Sequence, residues 1–403
     1  MYKILIVLGI FFLSFNLFSL EKKKLDSRLV KIENLAKEKK YYTAMSQLMA
    51  LDPQKTDPVV QIYRVDFTIK YFVTSINHKM FSFKNLKPNQ NIYDVRGKTG
   101  QSNIILYDPE KVLKDLIKNH PSNYNLKISL GLYYSDVHSR YRKRWLLPAK
   151  ELRRLTQTLI LDAYNHKVYS QRSLSVLGQS FLYSQKYKEG IKYLKILLLK
   201  DKKNPRIHYN IAFGYFRMGN GEKCIEHATI AFDNYKKNYY KADAAGILGF
   251  CFKVKKDYKK SYNYFKAATE LAPKDPRHGM NLIDAAIMLE DDTLIQKTAL
   301  QYIMIKPERP YLYVKMLRNL AKQKKVSHGI LMLENNLSKI KNDAVKANFH
   351  YFIGVSYVSF MPDKNKARDN LKKSEKLYKT FLKSDHKIFA VLKKYYEYID
   401  KMK

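Results

Sequence analysis

The chain has 403 residues, with 75 Lys and Arg against 36 Asp and Glu, a formal net charge of +39 and 46% hydrophobic residues. Roughly 380 residues after a short leader suffice to bury a large core. Lys outnumbers Arg four to one, beside many Asn, Ile and Tyr. Charge of that compositional kind spreads over every solvated helix face, and no groove-reading motif accompanies it, so nucleic acid is not expected as a partner.

In chain order, Met1–Leu20 comes first, with an apolar run from Ile4 to Leu20 interrupted by Ser14 and Asn16. Ser19 offers a small residue for cleavage, although Leu17 is larger than usual two positions before it. Residues 1–20 are therefore expected to be a signal peptide, and export is expected. No Cys follows the run, which excludes a lipid-modified terminus for this leader. An uncleaved anchor is the alternative, opposed by the cluster Lys22–Lys24 on its far side.

Residues 21–75 read as a helical hairpin region, with Leu35, Tyr41, Ala44, Leu48 and Leu51 spaced for a pair at about 28–52. Residues 76–110 break the pattern. Pro88, Gly97 and Gly100 lie among Asn and Gln, and two β-prone runs, Asn91–Val95 and Asn103–Tyr107, predict a β-hairpin or ordered loop. Arg96-Gly97-Lys98-Thr99-Gly100 is not a phosphate loop, because Ile92 stands where the first Gly of that pattern belongs. It predicts a tight turn.

From 111 to 170 a degenerate repeat carries Leu130-Gly131 and Tyr134, then an insertion with Arg140, Arg142, Arg144 and Trp145. Three guanidiniums in a Lys-dominated chain form a candidate anion-binding patch, since bidentate pairing suits phosphate or carboxylate. The competing reading is a solvated inter-helix loop that carries Trp145 into the core. From 171 to 275, Leu177-Gly178 with Phe181, Phe213-Gly214, and Leu248-Gly249 with Phe252 recur, the glycines 36 and 35 residues apart. Recurrent Gly inside helices needs close helix approach to justify its cost. From 276 to 403 the apolar positions persist more loosely. Ile353-Gly354 with Tyr357 restores the motif, and Ile388, Leu392, Tyr395 and Ile399 mark a capping helix.

In the unit 242–275, Leu248, Gly249 and Phe252 precede a break at Lys255–Asp257, then Tyr258, Ser261, Phe265, Ala268 and Pro273. This pattern resembles the tetratricopeptide repeat, a helix-turn-helix of about 34 residues. The resemblance covers about three quarters of the chain. It implies an all-α fold: a right-handed α-solenoid of antiparallel helix pairs, with the insert as a short irregular or β element. A repeat stack of this kind needs no division into compact domains.

The resemblance also implies function. The first helix of each pair would line a concave groove, and its exposed positions would include Arg172, Gln179, His208, Tyr215, Phe250 and Lys253. Tyr215 and Phe250 are candidate apolar anchors, with Arg172 and Lys253 steering an acidic partner. The carboxylate-gripping positions of some relatives hold Ser175, Gln179, Ala212, Asp243 and Ile247, so that clamp is absent. The expectation is a non-enzymatic scaffold of the bacterial cell envelope, periplasmic or envelope-associated, that binds a protein partner. A cationic protein binding an anionic polymer or membrane surface is the second reading.

No catalytic motif competes with this. There is no zincin His-Glu-x-x-His, no Gly-x-Ser-x-Gly, and Glu290-Asp291-Asp292 falls where the register places a turn. Neither cofactor nor metal is expected. Cys224 and Cys251 are placed on contacting helices, yet helix-embedded pairs seldom meet disulfide geometry, and the reading preferred here is two buried free thiols.

Overall fold

The computed structural model describes residues 25–98, 103–141 and 147–402. The chain is an all-α solenoid of tandem helix pairs with one small sheet. Two compact units meet between Leu197 and Leu198, and each is described by itself.

The first unit holds four helix pairs. They are α1 (Ser27–Lys37) with α2 (Tyr41–Leu51), α3 (Pro58–Tyr71) with α5 (Pro109–Asn119), α6 (Tyr124–Tyr141) with α7 (Ala149–Asn165), and α8 (Gln171–Tyr183) with α9 (Tyr187–Leu198). The insert lies inside the second pair. It comprises β1 (Thr74–Ile76), β2 (Met80–Ser82), α4 (Ile92–Val95) and β3 (Ile104–Leu106). The strands form an antiparallel sheet in the order β1-β2-β3, with Phe81 opposite both Ser75 and Ile105.

Two expectations about the insert need correction. The sheet begins at Thr74, ahead of the β-prone runs. Asn91–Val95 is one turn of helix, because the Asn91 side chain accepts from the Tyr93 amide as an N-cap. The run at 103–107 does form a strand. Gly97 makes the expected turn with φ +76°, its amide donating to Val73 O at 2.8 Å. The insertion between Gly131 and Gly178 goes largely into length: α6 has 18 residues and α7 has 17.

The second unit pairs α10 (Pro205–Arg217) with α11 (Gly221–Asn234), α12 (Asn238–Val254) with α13 (Tyr258–Leu271), and α14 (Pro276–Met288) with α15 (Asp292–Met304). Next come α16 (Pro310–Lys322) with α17 (Val326–Asn336), then α18 (Asp343–Ser359) with α19 (Lys364–Tyr378), and α20 (Lys387–Lys401) ends it. Leu392 and Ile399 of α20 are buried against the preceding pair, as a cap requires.

Local chemistry sets these boundaries. Side chains of Asn204, Asn220, Asp257, Asp275, Asp291, Asn342 and Asp363 cap the helices they precede. Within pairs the first helix ends at a left-handed residue: Gln185, Gly219, Lys256, Glu290 and Lys324. After Gln185, Gly219, Lys256 and Lys324 the next amide closes a Schellman bond, as in Lys186 N to Phe181 O and Asp257 N to Phe252 O, both 3.0 Å. Where the helices cross, a Cβ on Gly178 would lie 2.7 Å from Leu194 Cγ, and one on Gly249 would lie 2.7 Å from Phe265 Cδ1. The recurrent glycine is the point of contact.

One chemical expectation is overturned. Cys224 at the start of α11 and Cys251 near the end of α12 form a disulfide, with Cα atoms 5.5 Å apart. The two helices run side by side, and their ends bring both cysteines within the ordinary range of about 4.4–6.8 Å. Among the described residues no helix is long and apolar enough to cross a membrane.

Candidate functional site

In the first unit, α3 carries Val59, Ile62, Asp66 and Ile69 at steps of three and four, which makes one stripe. Asn125, Ile128 and Leu132 do the same on α6. Those stripes, with Leu25, Asp26 and Leu29 at α1 and Tyr169, Ser170 and Arg172 at the start of α8, enclose a cleft of about 660 Å³. All four elements are the first helices of their pairs. The floor is aliphatic and buried at Leu29, Ile69 and Ile128, and Val59 stands 47% exposed at the lip. This volume lies within the range of about 300–1,000 Å³ usual for ligand pockets.

The cleft wall is fixed by polar ties. Arg28 donates to Asp26 at 2.8 Å and to Asp57 at 2.6 Å, which clamps the start of α1 to the start of α3. The Tyr63 hydroxyl donates to Glu33 Oε2 at 2.5 Å, and burial pushes that phenol well above its usual value. Arg172 pairs with Asp66 across the rim. Of the groove residues read from sequence, Arg172 is the one that lines this cleft. Gln179, about two turns beyond it on α8, is half-buried and donates to Ser175 Oγ at 3.0 Å.

The remaining groove residues lie in the second unit. His208 and Tyr215, placed on an open face by the register, are buried at 3% and 7% exposure. His208 Nε2 donates to Lys202 O at 2.9 Å, so its Nδ1 accepts from His227 Nδ1–H at 2.8 Å, and Tyr215 stacks on His227. Repeat aromatics pack between helices, which the register alone does not reveal. Phe250 is half-buried between Phe216 and Phe265, at 5.1 and 5.0 Å.

Lys253 is half-buried on α12, and its charge, with that of Lys315 on α16, acts on Asp284 of α14. Burial raises the Asp284 carboxyl above the usual carboxylate range, against the bond from Asn319 Nδ2 at 2.6 Å. On this unit the first helices thus carry polar ties, Asp284–Asn319 and Asp243–Arg277, instead of an apolar floor.

Of the candidate anion patch, Arg142 and Arg144 lie outside the described residues, as does Trp145. Arg140 is in the last turn of α6, where its Nε donates to Asp136 at 2.7 Å and its guanidinium lies 4.7 Å from the Phe72 ring. Arg96 lies 4.5 Å from the same ring and donates to Phe72 O and Lys70 O, both at 2.7 Å. Burial, reinforced by Arg140, pushes Arg96 down to about 10.

Sequence reading missed one constellation here. His78, at the β1–β2 turn, places Nε2 3.0 Å from Asp136 and Nδ1 3.3 Å from Ser75 Oγ. Ser, His and Asp of this kind can serve hydrolysis when a substrate reaches them. The His78 side chain, however, is fully buried among Phe72, Phe81 and Tyr133. What it does is fasten the hairpin to α6. The partners are 58 residues apart, which is why no local motif announced it.

No protein-family model and no curated protein sequence matches the chain. Solved structures do. The apo form of RapI is similar over 87% of this chain and 96% of its own, at 10% identity and TM-score 0.50. A tetratricopeptide repeat protein from Parabacteroides merdae matches 70% of this chain and all of its own, at 16% identity and TM-score 0.41. The C-terminal part of a repeat protein from Cytophaga hutchinsonii matches 65% of this chain and 93% of its own, at 12% identity and TM-score 0.44. At such identities the likeness speaks for the fold alone, and the fold is that of the tetratricopeptide-repeat proteins.

Proposed function

We propose that this chain is an exported, non-enzymatic adaptor of the bacterial cell envelope, and that it holds a protein partner in the apolar cleft of its first unit. The observation that carries the reading is the cleft itself: an aliphatic floor built by four first helices, rimmed by Asp66 and Arg172. Apolar anchors in a desolvated pocket supply most of the energy of such contacts, and rim charges supply orientation. Two observations support export. One is the apolar leader, and the other is the Cys224–Cys251 disulfide, a bond that persists in oxidising compartments.

The test is crosslinking capture from intact envelopes with the wild-type chain and with a Val59→Asp, Ile62→Asp variant, at low and high salt. A discrete protein held at both salts and lost with the cleft variant is the expected result. Capture of an anionic polymer or lipid that vanishes at high salt, and ignores the cleft variant, would replace the adaptor with a cationic surface binder.

A further inference from the structure

We propose that Arg96 and Arg140 form a phosphoryl-binding site, assembled where the insert of the first unit folds onto α6. It lies apart from the apolar cleft, and neither reading depends on the other.

Two elements deliver the pair. Arg96 closes α4 in the insert, and Arg140 stands in the last turn of α6. The contact of His78 with Asp136, at 3.0 Å, holds the hairpin on α6 and so brings both guanidiniums to one ring, that of Phe72, at 4.5 and 4.7 Å. Like charges gathered in this way raise the free energy of the folded chain, and functional sites are where folds tolerate it.

The charge is not neutralised locally. Among the described residues Asp136 is the one carboxylate within ion-pair distance of either arginine, 2.7 Å from Arg140 Nε. The C-terminal end of α6 adds about half a negative charge, which still leaves the two guanidiniums in excess. Along the chain no acid follows Arg140 until Glu151, and Glu151 is held by Arg154 at 2.6 Å.

Donors remain as well. Arg96 commits Nε to Phe72 O and Nη2 to Lys70 O, both at 2.7 Å, and Arg140 commits Nε to Asp136. Nη1 of Arg96 and both Nη atoms of Arg140 make no hydrogen bond among the described residues. The two carbonyls fix the plane of Arg96, while 30% of the Arg140 side chain stays exposed and opens the pair to an anion from solvent. A carboxylate presents two oxygens in one plane, and Asp136 already fills that role toward Arg140. A phosphoryl group carries three strong acceptor oxygens and more charge, which suits two guanidiniums that approach from different elements.

The probe is inorganic phosphate, titrated calorimetrically into the full chain at physiological salt. Saturable binding in the millimolar range or tighter is expected, weakened about tenfold by Arg96→Gln and several-fold by Arg96→Lys, which keeps the charge and loses the fork. Lys393→Gln with Lys394→Gln, both exposed on α20, should leave it unchanged. Phenylglyoxal labelling reads the site without a mutation: phosphate should slow modification of Arg140 several-fold and spare exposed Arg318 that effect. Vesicles of phosphatidylglycerol with phosphatidylcholine distinguish the source. Flotation that phosphate competes away and Arg96→Lys weakens identifies a lipid headgroup, and phosphate binding without it identifies a soluble phosphate or its ester. Absence of saturable phosphate binding would overturn the proposal. So would an equal loss in the Lys393, Lys394 variant or equal protection of Arg318, because diffuse attraction to a chain of net charge +39 would then account for the binding.

Discussion

The Phe265 ring of α13 occupies the space beside Gly249 of α12 that a side chain would need: a Cβ there would lie 2.7–2.8 Å from three ring carbons. Phe265 is 1% exposed and has no free direction in which to turn. Gly249→Ala should therefore destabilise the chain by about 1–2 kcal/mol, because overpacking costs about 1–3 kcal/mol and the better helix propensity of Ala returns up to about 1. Thermal unfolding checks this, and an unchanged or raised midpoint would show that the helices can separate without cost.

The turns within the pairs give a prediction of opposite sign. Glu290 and Lys324 adopt φ of 54° and 57°, a region that costs a residue with a side chain roughly 1 kcal/mol and costs Gly nothing. Gly219 already holds the equivalent place at φ 72°. Glu290→Gly or Lys324→Gly should stabilise by up to about 1 kcal/mol, and Gly219→Ala should destabilise by about as much. Denaturant midpoints of the three variants decide it, and Lys324→Gly with a lower midpoint would contradict the turn geometry.

Those two features explain what was legible in the sequence. A Gly that must meet Phe265 or Leu194, and a turn closed by a fixed hydrogen-bond pattern, leave their mark in residue type and spacing, so the helix pairs from 171 onward are readable. The aromatic positions are different. Tyr215 and Phe250 stand at equivalent register positions, yet Tyr215 is sealed by His227 while Phe250 is wedged between Phe216 and Phe265. Neither contact is encoded in the local pattern. The cleft was only partly legible, through Arg172, because its floor comes from α1, α3 and α6, where the repeat signature has decayed and an insert splits one pair. Asn91–Val95 reads as a strand by propensity and becomes a helical turn through a single cap.

The Cys224–Cys251 bond closes a loop with a separation of 27 residues in the second unit. Cross-linking removes freedom from the unfolded chain, and bonds of this kind are worth about 2–4 kcal/mol. Reduction, or Cys224→Ser, should lower stability by that amount. Intact mass under non-reducing conditions should be about 2 Da below the dithiol value, one hydrogen lost from each thiol. Both thiols alkylated in unreduced, denatured protein would restore the free-thiol reading.

His278 on α14 is 3% exposed, and neither ring nitrogen has a hydrogen-bond partner, the nearest carboxylate oxygen being that of Asp243 at 3.6 Å. Burial lowers its pKa from the ordinary 6.5. Above that value the ring is neutral in both states and stability is fully present. As pH falls from 6.5 the unfolded chain takes up the proton first, and stability is lost until the lower folded pKa is passed. His350, also lowered by burial, adds a loss of the same sign. His278→Leu should change little at pH 8 and should flatten the decline between pH 7 and 5. Parallel curves for the two proteins would show that His278 charges freely in the fold.

Arg64 of α3 is 1% exposed, and its Nη2 donates to Leu48 O at the end of α2 and to Asp52 O, the latter at 2.9 Å. Its guanidinium lies 5.5 Å from the Tyr107 ring, whose hydroxyl donates to Gln61, and Gln61 in turn donates to Asp52. One buried cation thus ties α2, α3 and the segment following β3 around the insert. Arg64→Met keeps most of the volume but leaves two buried carbonyls unpaired, at about 1–3 kcal/mol each, and removes the charge facing Asp52. The expected loss is about 3 kcal/mol or more, with early exchange of amides in α2 and α3 while those of α14–α19 stay protected. Uniform deprotection of both units at a loss below about 1 kcal/mol would show that Arg64 is not the tie.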